Sequence, residues 1–230
     1  MQQKENFTAA PALYIVLSQT HSRIGKLIRK ATRSRFSHCS ISLTADLTQM
    51  YSFARYRWHS PWRGGFVQET PDRLTLQGTR ETYVEIFCIP VDRAQHRAVA
   101  QKIEQMQKDD EEYIYNMLAP LCIPFGGNPA AYKAEICSQF VAQCLSAAKA
   151  LPTSLAEKRA VLPKDFAGVF EAACCYKGQM AHYQPARQAT FDDAAFFERL
   201  KWREQTSDTC KSLYLLAKRV YKAHRIKANA

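Results

Sequence analysis

The stretch Ala134-Glu135-Ile136-Cys137-Ser138-Gln139-Phe140-Val141-Ala142-Gln143-Cys144 decides how this chain is read. Ile136, Phe140, Val141, Cys144, Leu145 and Ala148 recur at helical spacing, which predicts a buried helix. The loop before it, Pro120 to Pro129, holds Pro124, Gly126 and Gly127 as breakers. Cys137 therefore falls at the entry of the helix. A helix N-terminus carries partial positive charge and unpaired N–H groups. A thiol placed there ionises more readily than a free cysteine, whose pKa is ~8.5. Two readings fit this position. Cys137 is in phase with Phe140, Val141 and Cys144 as core, and it also stands where an activated thiol would stand.

A second stretch, Phe36-Ser37-His38-Cys39-Ser40-Ile41-Ser42-Leu43, alternates as a strand does. His38, Ser40 and Ser42 share one face; Cys39, Ile41 and Leu43 share the other. A histidine opening such a strand can face a cysteine carried by another element. A Cys–His pair is the minimum for thiol catalysis, because the imidazole makes or holds the thiolate.

The order of these pieces resembles the permuted papain-like amidases, the circularly permuted branch of the NlpC-type cysteine peptidase superfamily, which also includes lecithin:retinol acyltransferase-like enzymes. The match is carried by F-S-H-C-S-I-S-L at 36–43, Q-M-Y-S-F-A-R at 49–55, E-I-C-S-Q-F-V at 135–141 and L-P-K-D-F at 162–166. It covers roughly residues 13 to 170. In the ordinary papain-like order the Cys helix precedes the His strand; here His38 precedes Cys137, as in the permuted order. The resemblance implies Cys137 as nucleophile and His38 as its base. The family usually places an acid or a second histidine on the strand after the His strand, to orient the imidazole. The matching position is Ser52, in Met50-Tyr51-Ser52-Phe53. A serine can accept that hydrogen bond but brings no charge to stabilise imidazolium. Ser52 is thus the third expected site residue, with Glu69 as the alternative and a degenerate site as the remaining option.

The fold class implied is α+β, a circularly permuted papain-like (NlpC-type) fold. An antiparallel sheet of strands 13–17, 36–43, 49–54, 65–69 and 83–90 would pack on the Cys-bearing helix. Residues 11–175 form the expected catalytic domain. Residues 176–230 form the expected extension, a loop over 176–190 and then a basic, amphipathic helical C-terminal appendage. Its first helix is expected from Phe191 to Trp202, burying Phe196, Phe197 and Leu200. A last helix would be capped by Asp208 and carry Leu213, Leu216, Ala217, Val220 and Tyr221 on one side. Earlier in the chain, Thr20 can cap a helix whose inner stripe is Ile24, Leu27, Ile28 and Ala31. Asp92 can cap another, through Val99, Ile103 and Met106. Glu111 and Glu112 read as solvated charge.

The 230 residues carry a net charge of +11, distributed unevenly. Residues 21–35 hold Arg23, Lys26, Arg29, Lys30, Arg33 and Arg35 with no acid, and Lys211, Lys218, Arg219, Lys222, Arg225 and Lys227 crowd the C-terminal end. Such asymmetry suits an anionic partner. A basic amphipathic helix can lie on an anionic membrane surface. Nothing in the sequence reads specific nucleic acid. Arg55 to Trp62 interleaves aromatics with arginines, either as a packed loop or as a clamp on an acyl, sugar or base group, and holds His59 as a reserve catalytic candidate. Tyr115 can pack in the core or line the cleft with its hydroxyl.

Eight cysteines without a C-x-x-C pair suit neither a disulfide scaffold nor a zinc knuckle, and no cofactor or metal is expected. No apolar run approaches the ~20 residues that span a bilayer. The polar first ten residues and the short run Leu13 to Leu17 do not form a signal peptide, so a cytoplasmic location is expected. The substrate class is an amide (peptide or isopeptide-like) or an ester, its identity open.

Overall fold

The central strands follow from the alternation of the sequence, and a computed structural model describes residues 10–21, 23–60, 62–123, 127, 129–186 and 193–228. Strands β1 (Ala12–Ser18), β2 (His38–Ser42), β3 (Met50–Arg55), β4 (Gly64–Glu69) and β5 (Tyr83–Pro90) sit where the pattern predicts them. They pair antiparallel, and two short strands, β6 (Ile114–Tyr115) and β7 (Ala134–Glu135), join the far edge. The last strand, β8 (Cys174–Gln179), pairs with β5. The result is an eight-stranded sheet in the order β7-β6-β4-β3-β2-β1-β5-β8. It is mixed rather than purely antiparallel, because β6 and β7 run parallel.

The sheet is buried on both faces. On one, Leu13, Ile15 and Leu17 of β1, Cys39 and Ile41 of β2 and Phe53 of β3 meet Phe140, Val141, Cys144 and Leu145. Those four belong to α5 (Cys137–Ala147), the helix read from the sequence. Val99, Ile103 and Met106 of α3 (Arg93–Lys108) complete this core. Asp92 caps α3 as expected: its carboxylate accepts the Gln95 N–H at 2.7 Å, and the Gln95 side chain accepts the Asp92 N–H at 2.9 Å. The opposite face, where alternation left His38, Ser40 and Ser42, is covered as well. Val16, Met50, Val84 and Ile86 pack there against Leu74 of α2 (Pro71–Thr75) and against Met180 and Tyr183, which follow β8. All five residues of β2 are consequently buried.

Glycine is required where β6 joins. A Cβ on Gly65 would collide with the Tyr113 carbonyl and the Tyr56 hydroxyl, so only glycine allows the Gly65–Ile114 pairing. That pairing fixes the position of Tyr115.

The expected helix after Thr20 is α1 (Arg23–Thr32); the side chains of Ile24, Leu27, Ile28 and Ala31 lie outside the described residues, as do Pro61, Pro124, Gly126 and Phe191. Short helices α4 (Ala119–Cys122) and α6 (Thr153–Ala156) join loops, and α7 (Pro163–Val169) starts on Pro163 as predicted.

The C-terminal part departs most from expectation. The boundary placed between 175 and 176 falls inside β8, so the stretch read as loop begins as a strand of the main sheet. The helix expected from 191 to 202 is one turn, α8 (Ala194–Phe197), which buries Phe196. The last helix, α9 (Trp202–Ala228), starts before Asp208. Asp208 does not cap it but pairs with Arg63 at 3.0 Å. The apolar stripe is also narrower than expected: Leu216 is buried, while Leu213 and Tyr221 are exposed. Glu111 is not merely solvated. It pairs with Arg219 of α9, with Lys222 at 3.4 Å and with Lys133 at 3.7 Å. No described helix is long and apolar enough to cross a membrane.

Candidate active site

Cys137 opens α5, and the preceding residue, Ile136, is extended. The first intrahelical bond runs from the Phe140 N–H to the Ile136 carbonyl at 3.1 Å. The N–H groups of Cys137 and Ser138 come before it and point out of the helix start, where the dipole favours negative charge. The contacts of α5 with β2 and β3 bring this end of the helix to the strand that carries His38.

His38 opens β2 and is buried. Its Nε2 lies 2.8 Å from Glu69 Oε2, and the Ser40 hydroxyl donates to the same carboxylate oxygen. With Nε2 taken, Nδ1 is the nitrogen left for Cys137, whose ionised form His38 favours. Glu69 reaches this position through register. Ser42 pairs with Met50 and Met50 pairs with Glu69, so the end of β4 lands on the face of β2 that holds Ser40 and His38.

Ser52 does not touch the imidazole. Its hydroxyl donates to the Cys39 carbonyl at 2.7 Å. Of the two residues weighed as orienter, the geometry gives the contact to Glu69. His59 is exposed and lines neither cavity described below.

Cys39 is the residue that strand reading left in the core. It lies on the α5 face of β2, in the same core cluster as Cys137, and is the largest influence on that thiol. The alternation that put it opposite His38 was the available signal, because that face is the one α5 covers.

The electrostatics follow from these contacts. Cys137 is held well below the ordinary thiol range: the Cys39 hydrogen bond is the largest influence, burial opposes it, and the His38 charge and hydrogen bond add to the lowering. For His38, burial disfavours the charge, but Glu69 and Cys137 outweigh it and raise the imidazole to about 10. For Glu69, burial again works against ionisation, and His38, Arg73 and Ser40 overcome it, so the carboxyl stays below its usual value. Cys39 is pushed well up by burial and by its bond to Cys137, so it serves as a neutral donor. These directions favour a thiolate–imidazolium pair backed by a carboxylate.

Two cavities meet here. One is lined by Cys137, Ser138, Ile136, Pro163, Ser37 and Tyr115. The other is lined by His38, Glu69, Arg55, Arg73, Trp58 and Phe196, and shares Ser37 and Tyr115 with the first. Tyr115 thus stands between them. Burial and then the Cys137 charge raise its hydroxyl well above the usual range, so it is a proton donor at neutral pH.

No family model, no curated protein and no solved structure matches this chain.

Proposed function

We propose that this chain is a cysteine hydrolase of the permuted papain-like (NlpC-type) kind, cleaving an amide (peptide or isopeptide-like) or an ester. The observation that supports it best is the buried Cys137–His38–Glu69 chain at a helix start, opening on a cavity. The Cys137 thiolate attacks the carbonyl carbon, and the C–S bond forms as the carbonyl electron pair moves onto oxygen. The N–H of Cys137, with that of Ser138, faces the developing oxyanion. His38, already protonated, gives its Nδ1 proton to the leaving amine or alcohol as that bond breaks. A water then loses a proton to His38, attacks the thioester and releases the acid, and the thiolate–imidazolium pair returns. Glu69 holds the ring in the correct tautomer and stabilises its charge throughout. Cys39 holds the thiolate in place as a neutral donor.

Alkylation with iodoacetamide followed by peptide mapping tests the reading. Cys137 is expected to react fastest of the eight cysteines at pH 6, where ordinary thiols are protonated. Equal labelling of Cys137 and the exposed Cys175 and Cys210 would refute it.

A second reading, a scaffold that binds an anionic lipid surface without chemistry, rests on α9. Tyr214 and Tyr221 are exposed on this helix among Lys218 and Arg225. Co-sedimentation with phosphatidylserine vesicles that weakens with salt supports it; no binding at low salt removes it.

A further inference from the structure

The cavity beside the dyad carries more positive charge than the dyad requires. Arg55 ends β3 and Arg73 lies on α2; both guanidinium groups line this cavity with His38. Burial disfavours the charge on Arg55, and Arg73 repels it further, so it is lowered to about 10. Two half-buried guanidinium groups this close repel one another, and Glu69 offsets the charge of both only in part.

Their hydrogen bonds go to carbonyls. Arg55 Nη1 donates to the Trp58 carbonyl at 3.0 Å. Arg73 donates from Nη1 to Gln68 at 3.0 Å and from Nη2 to Arg55 at 2.6 Å. The Nε of Arg73 is buried and has no partner among the described residues. The carboxylates that act on Arg73 are Glu69 and Asp193, and both are engaged elsewhere. Glu69 serves His38 and Ser40, and Asp193 accepts from Thr70. Arg55 has one hydrogen bond among the described residues, so most of its donor fork is open.

The forks are also pre-positioned. Arg55 lies 4.6 Å from the centre of the Trp58 ring, and Arg73 lies 4.2 Å from that of Phe196. Stacking of this kind limits the rotamers of a long side chain before any ligand arrives. A purely structural role accounts for Arg73 as a latch between β3, β4 and α2. It does not account for the open fork of Arg55 or the unpartnered Nε of Arg73.

We propose that this cavity is a subsite for an oxyanion group of the substrate, a carboxylate or a phosphate gripped by Arg55 and Arg73. The proposal rests on the hydrolase reading above and narrows its substrate class to amides or esters that carry an anion near the scissile bond. Planar guanidinium forks match either oxyanion with paired N–H donors. The aromatic walls accept the carbon chain that links anion and carbonyl.

Two measurements test it independently. In the first, the full chain with Cys137→Ala is melted with sodium phosphate, with sodium succinate and with sodium chloride at equal ionic strength. A saturable rise in Tm with phosphate or succinate above the chloride control, lost on adding Arg55→Met, is the expected result. A rise with phosphate alone identifies a phosphate group, a rise with succinate alone a carboxylate, and either supports the subsite. No rise above chloride, or a rise that Arg55→Met leaves unchanged, overturns it. Arg55→Gln, which keeps a donor for the Trp58 carbonyl, replaces Arg55→Met if the latter does not fold.

In the second, turnover of mono-p-nitrophenyl succinate is compared with that of p-nitrophenyl butyrate. The ratio of their kcat/KM values is expected to fall about tenfold in Arg55→Met. An unchanged ratio overturns the subsite. If neither ester turns over and Cys137 is unreactive, the hydrolase reading fails, while the melting measurement still decides whether the anion site exists.

Discussion

Two charge clusters in this molecule look alike and behave differently. One is His38, Glu69 and Cys137; the other is Arg219 on α9 with Glu111, Lys222 and Tyr132. In the second, Arg219 pairs with Glu111, donates to the Glu112 carbonyl at 2.9 Å and leaves its own carbonyl to the Tyr132 N–H at 3.0 Å. This arrangement ties α9 to the segment around β6 and β7. The first cluster differs in two ways. It is buried where Glu111 and Lys222 are half exposed, and it faces cavities; its thiol is held down and its imidazole up in spite of burial. An ion pair that only joins elements has no need of either feature. Opposed shifts beside a cavity are the arrangement that acid–base and nucleophilic chemistry requires.

The sharpest test of this contrast removes one residue from each cluster. Cys137→Ala is expected to lower turnover at least ~1,000-fold, because the proposed nucleophile is gone. Its fold should survive, since alanine fits the helix start. Arg219→Met should show the reverse pattern. Tm falls as α9 loosens, and alkylation of Cys137 in the folded protein keeps its wild-type rate. Loss of Cys137 reactivity in Arg219→Met would show that the two clusters are one system.

Glu69→Gln is next in size. It keeps a hydrogen bond to Nε2 but removes the charge that holds the imidazolium. A loss of roughly 10- to 100-fold in turnover is expected, as for a charge-assisted bond in a buried site. The sign of the pH effect follows from the shifts. Glu69 raises His38, so its removal lowers the imidazole from about 10. A weaker imidazolium depresses the thiol less, so the alkylation profile of Cys137 moves up towards the ordinary ~8.5. A profile that does not move would remove Glu69 from the orienting role.

The wild-type pH dependence comes third. The His38 pKa is raised, so the stability that its charge contributes is complete below the unfolded ~6.5. That stability is lost as pH rises through about 10. The Glu69 pKa is lowered, so its contribution is present above the unfolded ~4.3 and is lost as pH falls through the depressed value. Hydrolysis needs thiolate and imidazolium together. It should therefore be flat through neutrality, fall on the acid side as the thiolate protonates, and fall on the alkaline side as His38 nears its raised pKa. A rate that climbs steadily from pH 7 to pH 9 would mean an ordinary thiol, and the two clusters would then be equivalent.

What the sequence revealed of this site follows from periodicity together with the resemblance to the permuted papain-like order. A period of 3.6 and a period of 2 place Cys137 and His38 at the starts of their elements, and the resemblance implies their roles. Glu69 was visible only as one of two options, because its role depends on the pairing of Met50 with Glu69 and of Ser42 with Met50. Strand register is a long-range property that no local pattern encodes. β8 was missed because Cys174-Cys175-Tyr176-Lys177-Gly178-Gln179 is a half-exposed edge strand without clean alternation. The start of α9 was misplaced because Asp208 read as a cap. In the folded chain the hydroxyls of Thr206, Thr209 and Ser212 bond back to carbonyls one turn earlier, so these residues sit within the helix without a terminus.

The smallest effect belongs to Ser52→Ala, and it separates orientation from support. The Ser52 hydroxyl ends on the Cys39 carbonyl, one residue beyond His38, and not on the ring. Its loss leaves a buried carbonyl with one fewer donor, which lowers stability by about 1 kcal/mol. Turnover should drop less than ~5-fold, through a slight loosening of β2. The decisive readout is again the pH profile of Cys137 alkylation. Glu69 still holds the imidazole, so Ser52→Ala should reproduce the wild-type profile, in contrast to Glu69→Gln. Ser52→Glu separates them further. A second carboxylate at this fully buried position would have to share the region with Glu69, and the two negative charges would repel. The variant is therefore expected to destabilise the fold without raising turnover. If Ser52→Glu instead increased activity, the imidazole would be taking its support from β3, and Glu69 would be the structural residue.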